Sequence, residues 1–472
     1  MIDQSILEKA LDYMEKNGSS YGEARFHKLA GFSFTMLNGQ LVGASYKDSV
    51  GVALRSLGDG GLGFSSTSII TKDSILESAS RALKAARSQK DFKPRIGLSE
   101  EYLARISYRV SERKPISDWS DEDLIKYFQD FYKGLDLDKR INITQVLIMF
   151  KYDIEEKLLI TSDGAFVESY IPRIEVFYSI TAEYQGERAN RWNQLGGTGG
   201  LELLEQLEIA DNLEDDSRSL SVYLREAEPS PSGKMDVVLG PEIVGLAMHE
   251  AAGHPSEADR VLGREAAQAG LSYRRRLEPG YKIGSGHVTV VDDPTIPGSH
   301  GFYLVDDEGV PARPRYLIRN GYLEEYLHNR ETAYEMNTHS NASARAKEWW
   351  AEPIVRMANT YLVPGDYSLD ELLEDVNHGV YIKKYMEWNI DDYRWRARYV
   401  GLEAYLVENG RITRPVKNPA LEVNSVEFFS SIDAVGKDLA FYAGTCGKGE
   451  PGQGVPVWFG GPHIRMRGVK II

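Results

Sequence analysis

Four dipeptides, Asn38-Gly39, Asp163-Gly164, Asn320-Gly321 and Asn409-Gly410, each stand between two runs of apolar or β-branched residues. Such pairs tolerate positive φ at the turn, and the tight turn they form matches the twist of two antiparallel strands. Each therefore predicts a hairpin, and the sheets they build are antiparallel. Helices are predicted where the apolar spacing changes. Residues 6–17 carry Ile6, Leu7, Ala10, Leu11 and Met14 on one face with Gly18 as the stop, and 73–88 carry Ile75, Leu76, Ala79, Ala82, Leu83 and Ala86. A third helix opens at Ser120 and Asp123 in capping-box spacing. Helix, meander, helix is an α+β pattern.

With 472 residues the length prior is two to three domains. The Pro- and Ser-rich string Glu228-Pro229-Ser230-Pro231-Ser232-Gly233 reads as the linker between them. Residues 1–230 are then an α+β domain of helices on an antiparallel sheet. Residues 231–472 are a mostly antiparallel β domain with inserted helices, one over Ser368–Val376 and another over about Ile432–Phe441. The latter domain opens with strand Asp236–Leu239, then Gly240-Pro241-Glu242, a helix start with proline in its first turn. Gly196-Gly197-Thr198-Gly199-Gly200 has no following Lys-Ser/Thr and reads as a flexible loop rather than a phosphate loop.

A formal net charge of −15 argues against nucleic acid or an anionic membrane as the main partner. No apolar window approaches the roughly 18 residues of a membrane span, and the N-terminus has no basic stretch leading an apolar run. The lone cysteine, Cys446, excludes an intramolecular disulfide framework and fits a reducing compartment, so a cytoplasmic protein is expected.

The helix after Pro241 runs into His249-Glu250-Ala251-Ala252-Gly253-His254. Imidazole nitrogen is a common zinc ligand, and Glu250 beside the first histidine is placed to take a proton from a metal-activated water. The bland alternative is two satisfied histidines at a helix end. The spacing is unusual, because side chains five apart on an α-helix point roughly 140° apart. Either a π-bulge adds a residue to the turn or the helix ends between the two. Gly253 and Pro255 favour an ending, with His254 leaving the helix path.

Cys446 lies in Gly444-Thr445-Cys446-Gly447-Lys448-Gly449, where glycines let the backbone approach an ion and Lys448 could favour the thiolate. His249, His254 and Cys446 would make a three-ligand zinc site with one open position, the catalytic arrangement. A buried, unreactive cysteine is the alternative. His27, His287, His300, His328, His339, His378 and His463 have no ligand partner at usable spacing.

The chain resembles the TldD/PmbA peptidases, the modulator-of-gyrase family, over nearly its whole length. The resemblance runs through Asn38-Gly39-Gln40-Leu41, Gly51–Arg55 and Gly63–Ser68. It continues through the His-Glu-x-x-x-His string, Arg356–Thr360, Cys446-Gly447-Lys448 and Gly452–Val457. Presence of the metal string is similar to the TldD branch, since the PmbA/TldE branch lacks it. The resemblance implies a zinc peptidase that cuts unfolded peptides, with Zn²⁺ on His249, His254 and Cys446 and with Glu250 as general base and acid. It also implies a dimer, with itself or with a TldE/PmbA-like subunit, whose active site extended chains reach through a cavity.

The chain departs from the family's glycine-rich pattern at Lys384-Tyr385-Met386-Glu387-Trp388-Asn389-Ile390-Asp391. It departs again at Trp458-Phe459, where small residues are usual. Bulky groups there are expected to narrow a nearby cleft. Two rival readings remain: a non-catalytic peptide-binding partner subunit, and a thiol or redox enzyme using Cys446.

Overall fold

The computed structural model describes residues 2–91, 95–264, 270–449 and 452–472. Its first sheet is dominated by four strands of 17 to 20 residues. Tyr21–Leu37 pairs with Gln40–Gly58 through Asn38-Gly39, both at positive φ (49° and 74°), as the hairpin signal predicts. Asn142–Thr161 and Phe166–Tyr184 form a second hairpin around Asp163-Gly164. The order is Gly61–Thr67, Gln40–Gly58, Tyr21–Leu37, Asn142–Thr161, Phe166–Tyr184, with Arg105–Arg109 and Glu187–Thr198 sharing the far edge of the last strand. The Gln185-Gly186 turn into Glu187–Thr198 has the same two positive φ values without an Asn or Asp to announce it.

Helices Gln4–Lys16 and Lys72–Ser88 cover one stretch of this sheet through Leu7, Ala10, Met14, Ile75, Ala79 and Ala82. Asp121–Gly134 and Ile209–Arg225 cover another through Leu124, Phe128, Leu213 and Leu220. The Ser120/Asp123 capping box forms as read from the sequence. Ile209–Arg225 has no counterpart in the sequence reading; its start is marked by Glu208 at φ 46° with no side-chain cap, so the usual opening signal is missing.

Three further sheets are built from residues 228–472, the smallest a pairing of Ala344–Arg345 with Ile354–Val355. An eight-stranded sheet has His378–Ile390, Gly233–Leu239, Ile464–Ile471, Ala420–Asn424, Arg396–Glu408 and Arg411–Lys417 in sequence across its path. A six-stranded sheet runs Tyr322–Leu323, Arg315–Arg319, Val290–Asp292, Asn359–Leu362, Gln453–Gly461, Ala440–Lys448, so that Ala440–Lys448 is an edge strand. Helix Pro241–Met248 lies against both in the largest apolar cluster, with Ile243, Val244, Ala247 and Met248 buried.

Several local expectations are corrected. Gly196, Gly197 and Thr198 are the buried end of strand Glu187–Thr198, not a flexible loop: a Cβ on Gly197 would meet Gly298 O at 2.7 Å, so the glycines serve close packing. The helix expected over Ile432–Phe441 lies one step earlier, at Ser425–Ser431, and Ile432–Val435 is a strand. Asn424 explains the shift, since its side chain accepts from Glu427 N and starts the helix there. Among the described residues no helix is long and apolar enough to cross a membrane.

Candidate metal centre

Helix Pro241–Met248 continues into a π-helical turn, His249–Gly253, and then a 3-10 turn, His254–Ser256. The backbone N–H of His254 donates to His249 O, so the i→i+5 bond that defines the wide turn joins the two histidines themselves. One inserted residue brings both imidazoles to the same side, with ring centroids 5.0 Å apart. The helix therefore does not end between them: Gly253 (φ −63°, ψ −69°) and His254 (φ −55°, ψ −43°) are both right-handed helical.

Pro255 only biases its predecessor, and side chains meet the carbonyls that the irregular turns would leave open. Tyr273 Oη donates to Ala251 O (2.7 Å), Ser256 Oγ to Ala252 O (2.6 Å) and Ser272 Oγ to Pro255 O (2.8 Å). Gly253 is there for space, since a Cβ on it would fall 2.0 Å from Met357 Sδ.

Cys446 sits on edge strand Ala440–Lys448, opposite Val455. Helix and hairpin are brought together at Gly245 and Gly460, where a Cβ on Gly245 would lie 2.7 Å from Gly460 N. Buried Arg356 pins the hairpin by donating to Cys446 O and to Gln453 O (2.8 Å). The result places one donor atom each from His249, His254 and Cys446 within 4.8 Å of one another, all three residues buried. Cys446 Sγ is 3.5 Å from His254 Nε2.

The protonation states suit a metal. Burial pushes both histidines below their ordinary value, keeping them neutral at neutral pH, the form that ligates. Burial by itself raises the Cys446 thiol, but His254 and Arg356 bring it below its usual value. Lys448 is not the activating charge expected of it, because its ammonium is held by Asp259 (2.7 and 2.8 Å). Among the described residues, His249 Nδ1 is buried with no hydrogen-bond partner. Two neutral imidazoles and a low thiol, with a ring nitrogen left unsatisfied, fit zinc.

Two partners were missed in the sequence. Glu257 Oε2 lies 2.9 Å from His254 Nδ1, the carboxylate that orients a ligand histidine. Burial raises Glu257, but Lys448, with His254 and Arg260, holds it well below the usual carboxylate range. Its i+3 position after His254 was the available signal. Arg394 Nη1 donates to Glu250 Oε2 at 2.8 Å, across 144 positions, with no local signal at all.

Arg394 stands at φ 59° in the turn between His378–Ile390 and Arg396–Glu408. That turn is fixed: Ser425 Oγ donates to Arg394 O (2.8 Å), Ser425 N–H to Trp395 O (2.8 Å) and Tyr273 N–H to Tyr393 O (3.0 Å).

A cavity of about 290 Å³ opens over these groups, walled by Trp192 to Gln194, His249, Glu250, His254, Arg394 and residues 443–447. Tyr385, Trp388 and Phe459 also line it, so residues of both departures from the family pattern share the cavity with the candidate metal ligands. Trp458 instead stacks on Phe441 and donates to Gly196 O (2.8 Å).

Sequence models of the PmbA/TldA metallopeptidase family match residues 22–86 (domain 1), 114–225 (central domain) and 232–472 (C-terminal domain). The metalloprotease MJ0996 of Methanocaldococcus jannaschii is 32% identical over 466 residues, 98% of this chain and 99% of that one. A zinc metalloprotease TldD homolog of Saccharolobus solfataricus is 34% identical over 242 residues, 51% of this chain and 52% of its own.

Two solved structures share the fold. A protein of Thermotoga maritima described as a modulator of a DNA gyrase has a TM-score of 0.77 at 20% identity, covering 99% of this chain and 100% of that one. TldE of Thermococcus kodakarensis has a TM-score of 0.74 at 18% identity, covering 99% of each. With all three domain models matched in order, the chain belongs to the PmbA/TldA (TldD) metallopeptidase family.

Proposed function

We propose that this protein is a zinc-dependent peptidase that hydrolyses unfolded or extended peptides, with zinc held by His249, His254 and Cys446. The observation that carries the reading is the π turn, which brings two buried histidines to the side where strand Ala440–Lys448 presents the lone thiol. Bound there, zinc would supply Lewis acidity to the scissile carbonyl and acidify the attacking water. Glu250, next to the first ligand and lining the same cavity, accepts the water's proton and returns it to the leaving nitrogen. Arg394 holds Oε2 of that carboxylate.

Extended substrate is supported by the walls of the cavity. Ala440–Lys448 is the edge of one sheet and Glu187–Thr198 an edge of another, and residues of both line the opening. A chain laid along an edge strand is held by backbone hydrogen bonds, which gives broad side-chain tolerance. We place the domain boundary near residue 230, and the cytoplasm, where Cys446 stays reduced, as the compartment. A dimer, with itself or with a TldE/PmbA-like subunit, is supported by the exposed Leu41, Val42 and Tyr46 at the outer end of the first sheet.

The test is metal analysis of the purified protein together with Glu250→Ala. Zinc in both, with cleavage of a random peptide mixture by the parent only, is the expected result. A protein without zinc that still binds peptide would instead be a non-catalytic subunit. Cleavage that survives chelation but not alkylation would assign the chemistry to Cys446.

A further inference from the structure

A second cavity, of about 170 Å³, lies behind the metal centre, between the first sheet and the hairpin that carries Cys446. Thr445 lines both cavities, and its hydroxyl accepts from Gln194 Nε2 (3.3 Å), a residue of the metal cavity's wall.

The carboxylates around this second cavity are all engaged. Glu155 pairs with Lys157 (2.9 Å) and Arg173 (2.7 Å), Asp307 with Lys157 (2.9 Å), Glu348 with Lys47 (2.9 Å), and Asp153 with Lys151. Glu175 is 3.4 Å from His300 Nε2. Asp306 accepts the backbone N–H groups of Glu308, Val310 and Ala344.

Two cations in the same wall have no such partner. Arg345 is 7% exposed; its Nη1 donates to the carbonyl of Met357 (2.7 Å) and its guanidinium lies 5.4 Å from the Tyr303 ring centroid. Lys347, two residues on, lies 4.3 Å from the Trp350 ring centroid. Neither has a carboxylate within ion-pair distance among the described residues. A buried guanidinium without an anion is costly to keep unless something supplies the charge.

We infer that Arg345 and Lys347 form a carboxylate-binding subsite, filled by an acidic group of the peptide whose scissile bond lies at the metal centre. A planar guanidinium is suited to a carboxylate, and the Thr445 wall shared by the two cavities sets the subsite beside the metal centre. The carboxylate can be the substrate's C-terminus or an Asp or Glu side chain. This inference rests on the peptidase reading given above.

The experiment uses matched alanine-rich peptides in three forms: free acid, C-terminal amide, and amide with a single Glu scanned along the chain. Cleavage by the parent, Arg345→Met and Lys347→Met is measured, and binding of the same peptides to the non-cleaving Glu250→Gln protein is titrated. Expected is a preference for a carboxylate of about ten- to a hundredfold in kcat/KM. Lys347→Met should reduce that preference and Arg345→Met abolish it, with amide cleavage and zinc content unchanged. Preference for the free acid identifies the terminus, and preference for one Glu position identifies a side chain.

Should Arg345→Met fail to fold, the Lys347→Met result decides, the preference falling or the idea failing. Equal cleavage of all three forms by the parent overturns the subsite and leaves the peptidase standing. If nothing is cleaved, the titration decides separately: tighter binding of carboxylate forms supports the subsite, and equal binding overturns it.

Discussion

From the turn between two long strands Arg394 donates to Glu250 on the π turn, 2.8 Å from guanidinium nitrogen to carboxylate oxygen. Because three hydrogen bonds to its carbonyls fix that turn, the arginine is a built part of the site and orients the carboxylate beside the proposed metal ligands. Replacing Arg394 by Gln is expected to lower kcat by about ten- to a hundredfold, the scale of a lost charge-assisted hydrogen bond. KM and zinc content should hold. Steady-state kinetics with metal analysis checks this, and unchanged kcat would remove Arg394 from the mechanism.

Glu257 touches His254 on one side and the Lys448, Arg260 and Arg356 cations on the other. Glu257→Gln should weaken zinc binding by roughly ten- to a hundredfold through loss of the oriented imidazole. It should also lower stability by about 3–5 kcal/mol, since the cations lose their buried counter-charge. Competition with a chromogenic chelator measures the first effect and thermal unfolding of the metal-free protein the second.

Gly253→Ala puts a methyl group where Met357 Sδ already is. The backbone is not at positive φ here, so the cost is overpacking alone, about 1–3 kcal/mol. Adding Met357→Ala to Gly253→Ala should recover part of both stability and zinc affinity. A double mutant no better than Gly253→Ala alone would show that the glycine matters for some other reason.

His328 is buried against Thr332 and beside Arg274, and burial first, with Arg274 second, pushes it down to about 4 from an ordinary 6.5; Glu325 opposes them weakly. Its folded value is below its unfolded one, so the fold prefers the neutral ring. Stability is therefore full above about pH 6.5 and falls as pH drops toward 4, by about 3 kcal/mol in all. Denaturant titrations of the metal-free protein between pH 7 and 4 should show that slope reduced in His328→Gln. A slope identical in the two proteins would exclude His328 as its source.

Much of the architecture was legible because its causes are local. Asn38-Gly39 sets a turn by its own φ preferences, Ser120 and Asp123 cap a helix within one turn, and the stripe Ile75, Ala79, Ala82 states which face is buried. What failed had non-local causes. Gly196-Gly197-Thr198 looked like a loop because glycine is permissive, and only the backbone of Gly298 lying against it makes glycine a packing residue in a strand. The helix at Ile209–Arg225 began without a cap and depended on the sheet it covers.

The candidate site divides in the same way. By itself, the sequence determined the donor set: two histidines five apart, a glutamate beside the first, a single cysteine, and the demand that the helix depart from α geometry between the histidines. Which departure occurred was a tertiary decision. Gly253 and Pro255 favoured an ending, yet Tyr273 and Ser256 satisfy carbonyls of a π turn and Ser272 one of the 3-10 turn after it, so the helical path continues and both imidazoles face Cys446. Spacing is a property of the chain and can be read along it, whereas the groups that pay the polar cost of an irregular turn arrive from elsewhere and exist only once the chain has folded.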